Sequence, residues 1–167
     1  MNRKLLPFAL ITAVVMLFSG CKKDETTDEG SSSLNPGQSQ ISCSVSGAAS
    51  SSFTSNILIS TAIRSDLLLN ISGGNANAMN PEIVMIILPR SITTGTYTSS
   101  DMDVDGFAFT YTTSSKGWAN DKTKSFSLVV TKVTANEVEG TFSGTLINDE
   151  NTTVDISNGK FAAKFAE

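Results

Sequence analysis

The sequence predicts an all-β protein: an antiparallel two-sheet β-sandwich of about eight to ten strands, with a closed barrel as the alternative. Three observations carry this. Apolar and small polar residues alternate with period two through much of the chain beyond position 40. Turn-forming Gly, Asn, Asp and Pro punctuate those runs at spacings of roughly 8 to 14 residues. No long segment shows the 3.6-residue apolar period of a helix.

The strands follow in order. Ile41-Ser42-Cys43-Ser44-Val45-Ser46 alternates cleanly and predicts a half-buried strand. Further strands are expected at Ile57–Ile63, Leu67–Ser72, Ile83–Leu88, Gly95–Thr98, Phe107–Thr112, Phe126–Val133 and Val138–Ile147. Val154–Ile156 leading into Phe161–Phe165 completes the set. Turns are expected at Gly73-Gly74-Asn75, Asn80-Pro81, Lys116-Gly117, Ala135-Asn136, Asn148–Asn151 and Asn158-Gly159. Ile83–Leu88 is apolar at every position, which predicts a strand covered on both faces and closed by Pro89. Alternation alone does not separate a sandwich from a lipocalin-like closed barrel.

Composition narrows the chemistry. The chain has 167 residues, no His and two Cys. Without His there is no imidazole base, no Ser-His-Asp or Cys-His nucleophile and no His-ligated zinc; two cysteines are too few for a Cys₃ or Cys₄ site. The net charge is −4, so a basic nucleic-acid footprint is missing.

The N-terminus is an export address. Arg3 and Lys4 precede an apolar run, Leu5 to Phe18, that is too short to span a bilayer core, and Ser19-Gly20 stands before Cys21. Leu17-Phe18-Ser19-Gly20-Cys21 resembles the lipobox of bacterial lipoproteins, with Phe18 where Leu is usual. The resemblance implies a signal peptide at 1–20, acylation of Cys21 and anchoring in a membrane. Lys22-Lys23-Asp24-Glu25 is similar to the charged tether of Bacteroidota-type lipoproteins, which implies the outer membrane and its cell-surface face, with the periplasmic face as the alternative. Residues 21–40 carry one large aliphatic side chain, Leu34, amid Ser, Thr, Gly and charge, and are expected to form a flexible tether. A single domain then occupies residues 41–167. Removal of the leader, with Arg3 and Lys4, brings the net charge to −6.

Glu139-Gly140-Thr141-Phe142-Ser143 followed by Ile156-Ser157-Asn158-Gly159-Lys160-Phe161, with Gly95-Thr96-Tyr97 upstream, resembles a pattern shared by small uncharacterised Bacteroidota lipoproteins with a β-rich domain of unknown function. That resemblance implies class and location, not an activity. In physical terms, Gly140 and Gly144 mark bulges or close contacts between strands, Phe142 and Phe161 core positions, and Asn158-Gly159 a tight turn.

Candidate chemistry is sparse. Asp101, Asp103 and Asp105, with Gly106 following, match the first half of a calcium loop, but Thr112 stands where the closing bidentate acid belongs. An isolated calcium loop fed by Asp121 is weighed against a solvated acidic turn, and the latter is favoured. Phe107, Phe109 and Tyr111 share one strand face and are expected in the core. Trp118, in a loop, and Tyr97 are the candidates for stacking on a ligand. Glu137 and Glu139 lie on one strand face, the arrangement of paired carboxylates that glycoside hydrolysis needs, but an exposed acidic pair beside a turn is the simpler reading. Cys43 is expected to be a buried, inert thiol. No catalytic residue and no cofactor is assigned. The expectation is a monomeric, non-catalytic body, anchored by Cys21, that binds a glycan, a peptide or an outer-membrane protein, with a structural role in the envelope as the second reading.

Overall fold

In a computed structural model, residues 33–75, 79–101 and 106–166 are described. The signal peptide, Cys21 with the tether as far as residue 32, and Asp103 and Asp105 lie outside the described residues. Among the described residues eleven strands form, all pairing antiparallel. They are β1 (Gln38–Gly47), β2 (Ser51–Thr54), β3 (Thr61–Arg64), β4 (Leu68–Gly74), β5 (Ile83–Pro89), β6 (Gly95–Thr98), β7 (Ala108–Thr112), β8 (Gly117–Ala119), β9 (Phe126–Val133), β10 (Glu137–Ile147) and β11 (Thr153–Lys164). One hydrogen-bonded path runs β2-β1-β11-β10-β8-β7-β5-β4-β3, and β9 joins β10 to β6.

The all-β class is therefore as the sequence predicts. The path does not break into two separately bonded sheets. It curls until its ends approach each other, which brings it nearer to the barrel alternative. The two halves still face each other across one core, because Phe109 of β7 packs against Phe126 of β9 and Phe142 of β10 at ring-centroid distances of 4.9 and 4.7 Å. Period-two alternation supplies the inner face: Ile41, Cys43 and Val45 of β1, Val84, Ile86 and Leu88 of β5, and Leu128 and Val130 of β9 are all buried.

The ends of the path meet along a seam of small residues. Ala62 N–H of β3 donates to Gly37 O at 2.8 Å, and Asn56 N–H donates to Gly74 O at 2.7 Å. Ser39 Oγ donates to Ser72 O at 2.6 Å, and Ile41 N–H donates to Ser55 Oγ at 2.8 Å. Ser39 and Ser55 are buried, and their hydroxyls bond backbone groups of Ser72 and Ile41 across the seam.

Five expectations are corrected. Ile57–Ile63 is not one strand: Ile57–Ile59 form a 3-10 turn capped by Asn56, whose side chain accepts from Leu58 N–H at 2.9 Å, and β3 begins only at Thr61. Gly73 and Gly74 continue β4 instead of turning. Ile83–Leu88 is covered on one face only; Ile83 stands exposed and Met85 and Ile87 half-buried, because among the described residues no second layer packs outside β5. Asn158-Gly159 is a bulge inside the continuous β11, not a turn. Asn158 takes φ of 53° while β11 keeps its pairing to β1 and β10 on either side, and the register of both partners shifts there. The folded body also starts before position 41, since Leu34 is buried and β1 begins at Gln38. Two short strands, β2 and β8, were not expected.

Gly140 and Gly144 do mark close approach. A Cβ on Gly140 would meet Val129 O and the Phe161 ring, and the β9–β10 register shifts between Glu139 and Gly140.

Candidate functional site

The β1–β2 turn, the β4–β5 connection and the β7–β8 turn converge on an open cleft of about 500 Å³. Ser51, Glu82, Ser114 and Lys116 line it, with Tyr111 and Trp118 as its floor. Each side chain arrives for a local reason. Thr113 Oγ1 accepts from Lys116 N–H at 3.2 Å and its N–H donates to Lys116 O at 2.8 Å, which closes the β7–β8 turn and presents Ser114 and Lys116 at the rim. Lys116 Nζ pairs with Glu150 at 2.5 Å and so ties this turn to the β10–β11 turn.

Glu82 is the organising group. Its carboxylate accepts from Ser51 Oγ of β2 at 3.0 Å, from Asn75 Nδ2 at 2.5 Å, and from the Tyr111 hydroxyl of β7. Its own N–H donates to Asn75 Oδ1 at 3.0 Å, which pins the base of the β4–β5 connection. Burial, then the Glu82 carboxylate, push the Tyr111 phenol well above its ordinary range, so it stays protonated and donates. The same environment acts on Cys43: burial first, then the charge of Glu82, push its thiol up to about 12. Cys43 is buried, as expected, and its raised pKa keeps the thiol protonated.

Trp118 is in β8, not in a loop. It lies opposite Tyr111, with the two rings stacked at 5.9 Å, and is 3% exposed. Its Nε1–H donates to Thr152 Oγ1 at 3.1 Å, so the indole is a core group that borders the cleft. Tyr97 sits apart from it, on β6. Its hydroxyl donates to Thr93 O at 2.9 Å and its ring packs against Phe107 at 5.4 Å. The structure does not bring the two aromatic candidates together.

Asp101 serves its own turn. Its Oδ2 accepts from Thr98 N–H at 2.7 Å and from Thr98 Oγ1 at 2.8 Å, and these bonds hold its carboxyl below the usual range. Asp121 likewise accepts from the Thr123 hydroxyl and, at 2.7 Å, from Thr123 N–H, which lower its pKa. Among the described residues no group of three His, Cys, Asp or Glu side chains is placed to hold a metal ion. Glu137 and Glu139 are bridged by Lys132 Nζ at 2.7 and 3.0 Å, which raises the lysine's pKa. The pair is a surface ion cluster on the outer face of β10.

Glu82 and Ser51 escaped the sequence reading. Glu82 follows Pro81 in a turn and carries no motif. The one available signal was an acid immediately before an entirely apolar strand, where a side chain at the strand's mouth needs donors.

Among the described residues no helix is long and apolar enough to cross a membrane. No family model matches the chain, and neither a curated protein nor a solved structure matches it.

Proposed function

We propose that the protein is a lipid-anchored envelope protein of the outer membrane, held by acylated Cys21, whose β-body binds a ligand without transforming it. The observation that carries this reading is the Glu82 cleft. Three donors from separate elements fix one carboxylate at its edge, and hydroxyls and an ammonium group surround it. Groups held in place before binding lose little entropy when a partner arrives. Hydroxyls, a carboxylate and an amine together suit a glycan or an extended peptide, whose own hydroxyl and amide groups alternate donors and acceptors. A general base of imidazole type is missing from the chain, which supports binding over catalysis.

The test is a glycan and peptide array probed with the mature protein, with Trp118 emission as a second readout. Binding should disappear in Lys116→Ala/Ser114→Ala, which alters the rim and leaves the core intact. An array without hits, and emission unchanged by any compound on it, would favour the second reading, a structural envelope component. That reading draws on the outer face of β9–β11, where Ser127, Thr141, Ser143 and Lys160 stand together. No cofactor is needed in either case. A calcium-loaded sample is expected to keep its Tm when EGTA is added.

A further inference from the structure

The apolar residues that the body leaves uncovered are not scattered. Every large hydrophobic side chain exposed among the described residues falls between Ile57 and Ile83. Pairing puts them on one outer surface. Ile63 of β3 lies opposite Asn70 of β4, which lies opposite Ile87 of β5. One pair of steps along, Gly74 lies opposite Ile83, and Ile59 of the 3-10 turn covers Gly74. Three turn tips flank this surface. Leu58 is 83% exposed in the 3-10 turn, Leu67 78% in the β3–β4 turn and Met79 87% in the β4–β5 connection. The outer face of β9–β11, by contrast, presents hydroxyls and charge.

We propose that the outer face of β3–β5 lies against the lipid leaflet in which Cys21 anchors the chain. The proposal rests on the lipid anchor inferred above and names which surface the membrane covers. Three observations select a leaflet as the occupant. The first is where the described chain begins: Leu34 is buried and Gly37 O receives the Ala62 N–H of β3, so the chain enters the body at the β3 edge of this face. Eleven residues lie between Cys21 and Ser33, and a flexible chain of that length has a root-mean-square reach of about 18 Å, less than the roughly 28 Å across a body of this size taken as twice its radius of gyration. The anchor therefore keeps the β3 side close to the lipid.

The second is the form of the surface. Its most exposed side chains are single Leu and Met residues at the tips of separate turns, with Thr61, Asn70 and Ser72 between them. Separate apolar tips enter the boundary between headgroups and acyl chains one by one, whereas a protein partner calls for a contiguous apolar centre. The third is charge. Arg90 borders the open hollow beside the β3–β4 turn, with Asp66 as its acidic neighbour, in a mature chain whose net charge is −6. Arg64, in the same hollow, is turned to the β9–β10 turn, where it donates to Ala135 O and Asn136 Oδ1. A guanidinium at that level meets the phosphates of lipid headgroups.

The mature acylated protein in vesicles of phosphatidylethanolamine and phosphatidylglycerol tests this. A fluorophore is placed at Asp66→Cys on this face, or at Thr141→Cys on the opposite one. Cys43 is buried and protonated and does not compete for the label. A nitroxide carried on the lipid is expected to quench the label at 66 several-fold more than the label at 141. Leu58→Gln/Leu67→Gln/Met79→Gln is expected to erase the difference while the protein still floats with the vesicles. Equal quenching at both positions in floating protein overturns the docking face alone. So does a change at position 66 that depends on protein concentration without lipid, since a second copy would then be the occupant. Protein that never floats removes the anchor itself, and the leaflet with it.

Discussion

Cys43 shows how one residue's environment becomes a property of the whole chain. Its thiol is raised from an ordinary 9.0 to about 12 in the folded protein, first by burial and then by Glu82. Between those two values the unfolded chain loses the thiol proton and the folded chain retains it, so stability falls as pH rises. Below pH 9 the contribution is complete. Tyr111, raised for the same two reasons, acts in the same direction. Urea unfolding between pH 8 and 11 should therefore show a decline that becomes shallower in Cys43→Ala, by at most about 1.4 kcal/mol per pH unit, the slope of one proton. A maleimide at pH 7.5 is expected to leave the native thiol unmodified and to label it fully in denaturant. Sequence alone gave the burial of Cys43, because its period-two register with Ile41 and Val45 put it inward. It could not show the influence of Glu82, whose charge acts on Cys43 from the β4–β5 connection, far along the chain. Gly159 makes the opposite case. A Cβ there would fall within the Phe142 ring and against Phe142 O, both fixed by β10. Gly159→Ala is expected to cost about 3 kcal/mol, as overpacking does, and to lower Tm by roughly 10 °C.

At the level of elements, legibility followed alternation and turn chemistry. β6 and β9 start and end where the sequence places them: β9 alternates against the core, while β6, of which only Tyr97 is half-buried, is read from the turn residues that bound it. β2 and β8 were missed because Ser51–Thr54 and Gly117–Ala119 are too short to establish a period. The bulge in β11 was missed for a subtler reason. Asn-Gly favours left-handed backbone both in hairpin turns and in bulges, and only pairing on both flanks distinguishes them. The cleft depended on such unreadable joins. Glu82 links β2, the β4–β5 connection and β7 through three donors. Glu82→Ala leaves Tyr111, Ser51 and Asn75 without that acceptor and is expected to cost about 2 to 4 kcal/mol. Tyr111→Phe should cost about 1 to 2 kcal/mol, with little further loss when added to Glu82→Ala. Additive losses in this double-mutant cycle, read by urea unfolding, would show that the hydroxyl–carboxylate bond does not stabilise the fold.

For the molecule as a whole, the decisive question is how a curled sheet of this order avoids open edges. A closed ladder would have paired β1 with β3 along their length. The chain instead closes at separate points: Gly37 to Ala62, Gly74 to Asn56, and the hydroxyls of Ser39 and Ser55 to Ser72 O and Ile41 N–H. Gly73 is part of the same device, since a Cβ there would strike Ser55. The sequence shows these residues as small polar members of alternating runs, indistinguishable from outward-facing serines, and so left sandwich and barrel unresolved. Closure by isolated hydroxyls makes the seam the weakest line of the body, because each bond lost is not backed by a neighbouring rung. Ser55→Ala strands the buried Ile41 N–H and is expected to cost about 2 kcal/mol. The larger effect should appear in hydrogen exchange. The amides of Asn56 and Ala62 should exchange faster in Ser55→Ala by more than those of Val138 and Phe161, deep in the β10–β11 pairing, which should accelerate no further than the loss of global stability requires. A uniform acceleration across all four amides would mean that the seam opens only when the whole body unfolds, and that the curled sheet behaves as a closed barrel despite its interrupted ladder.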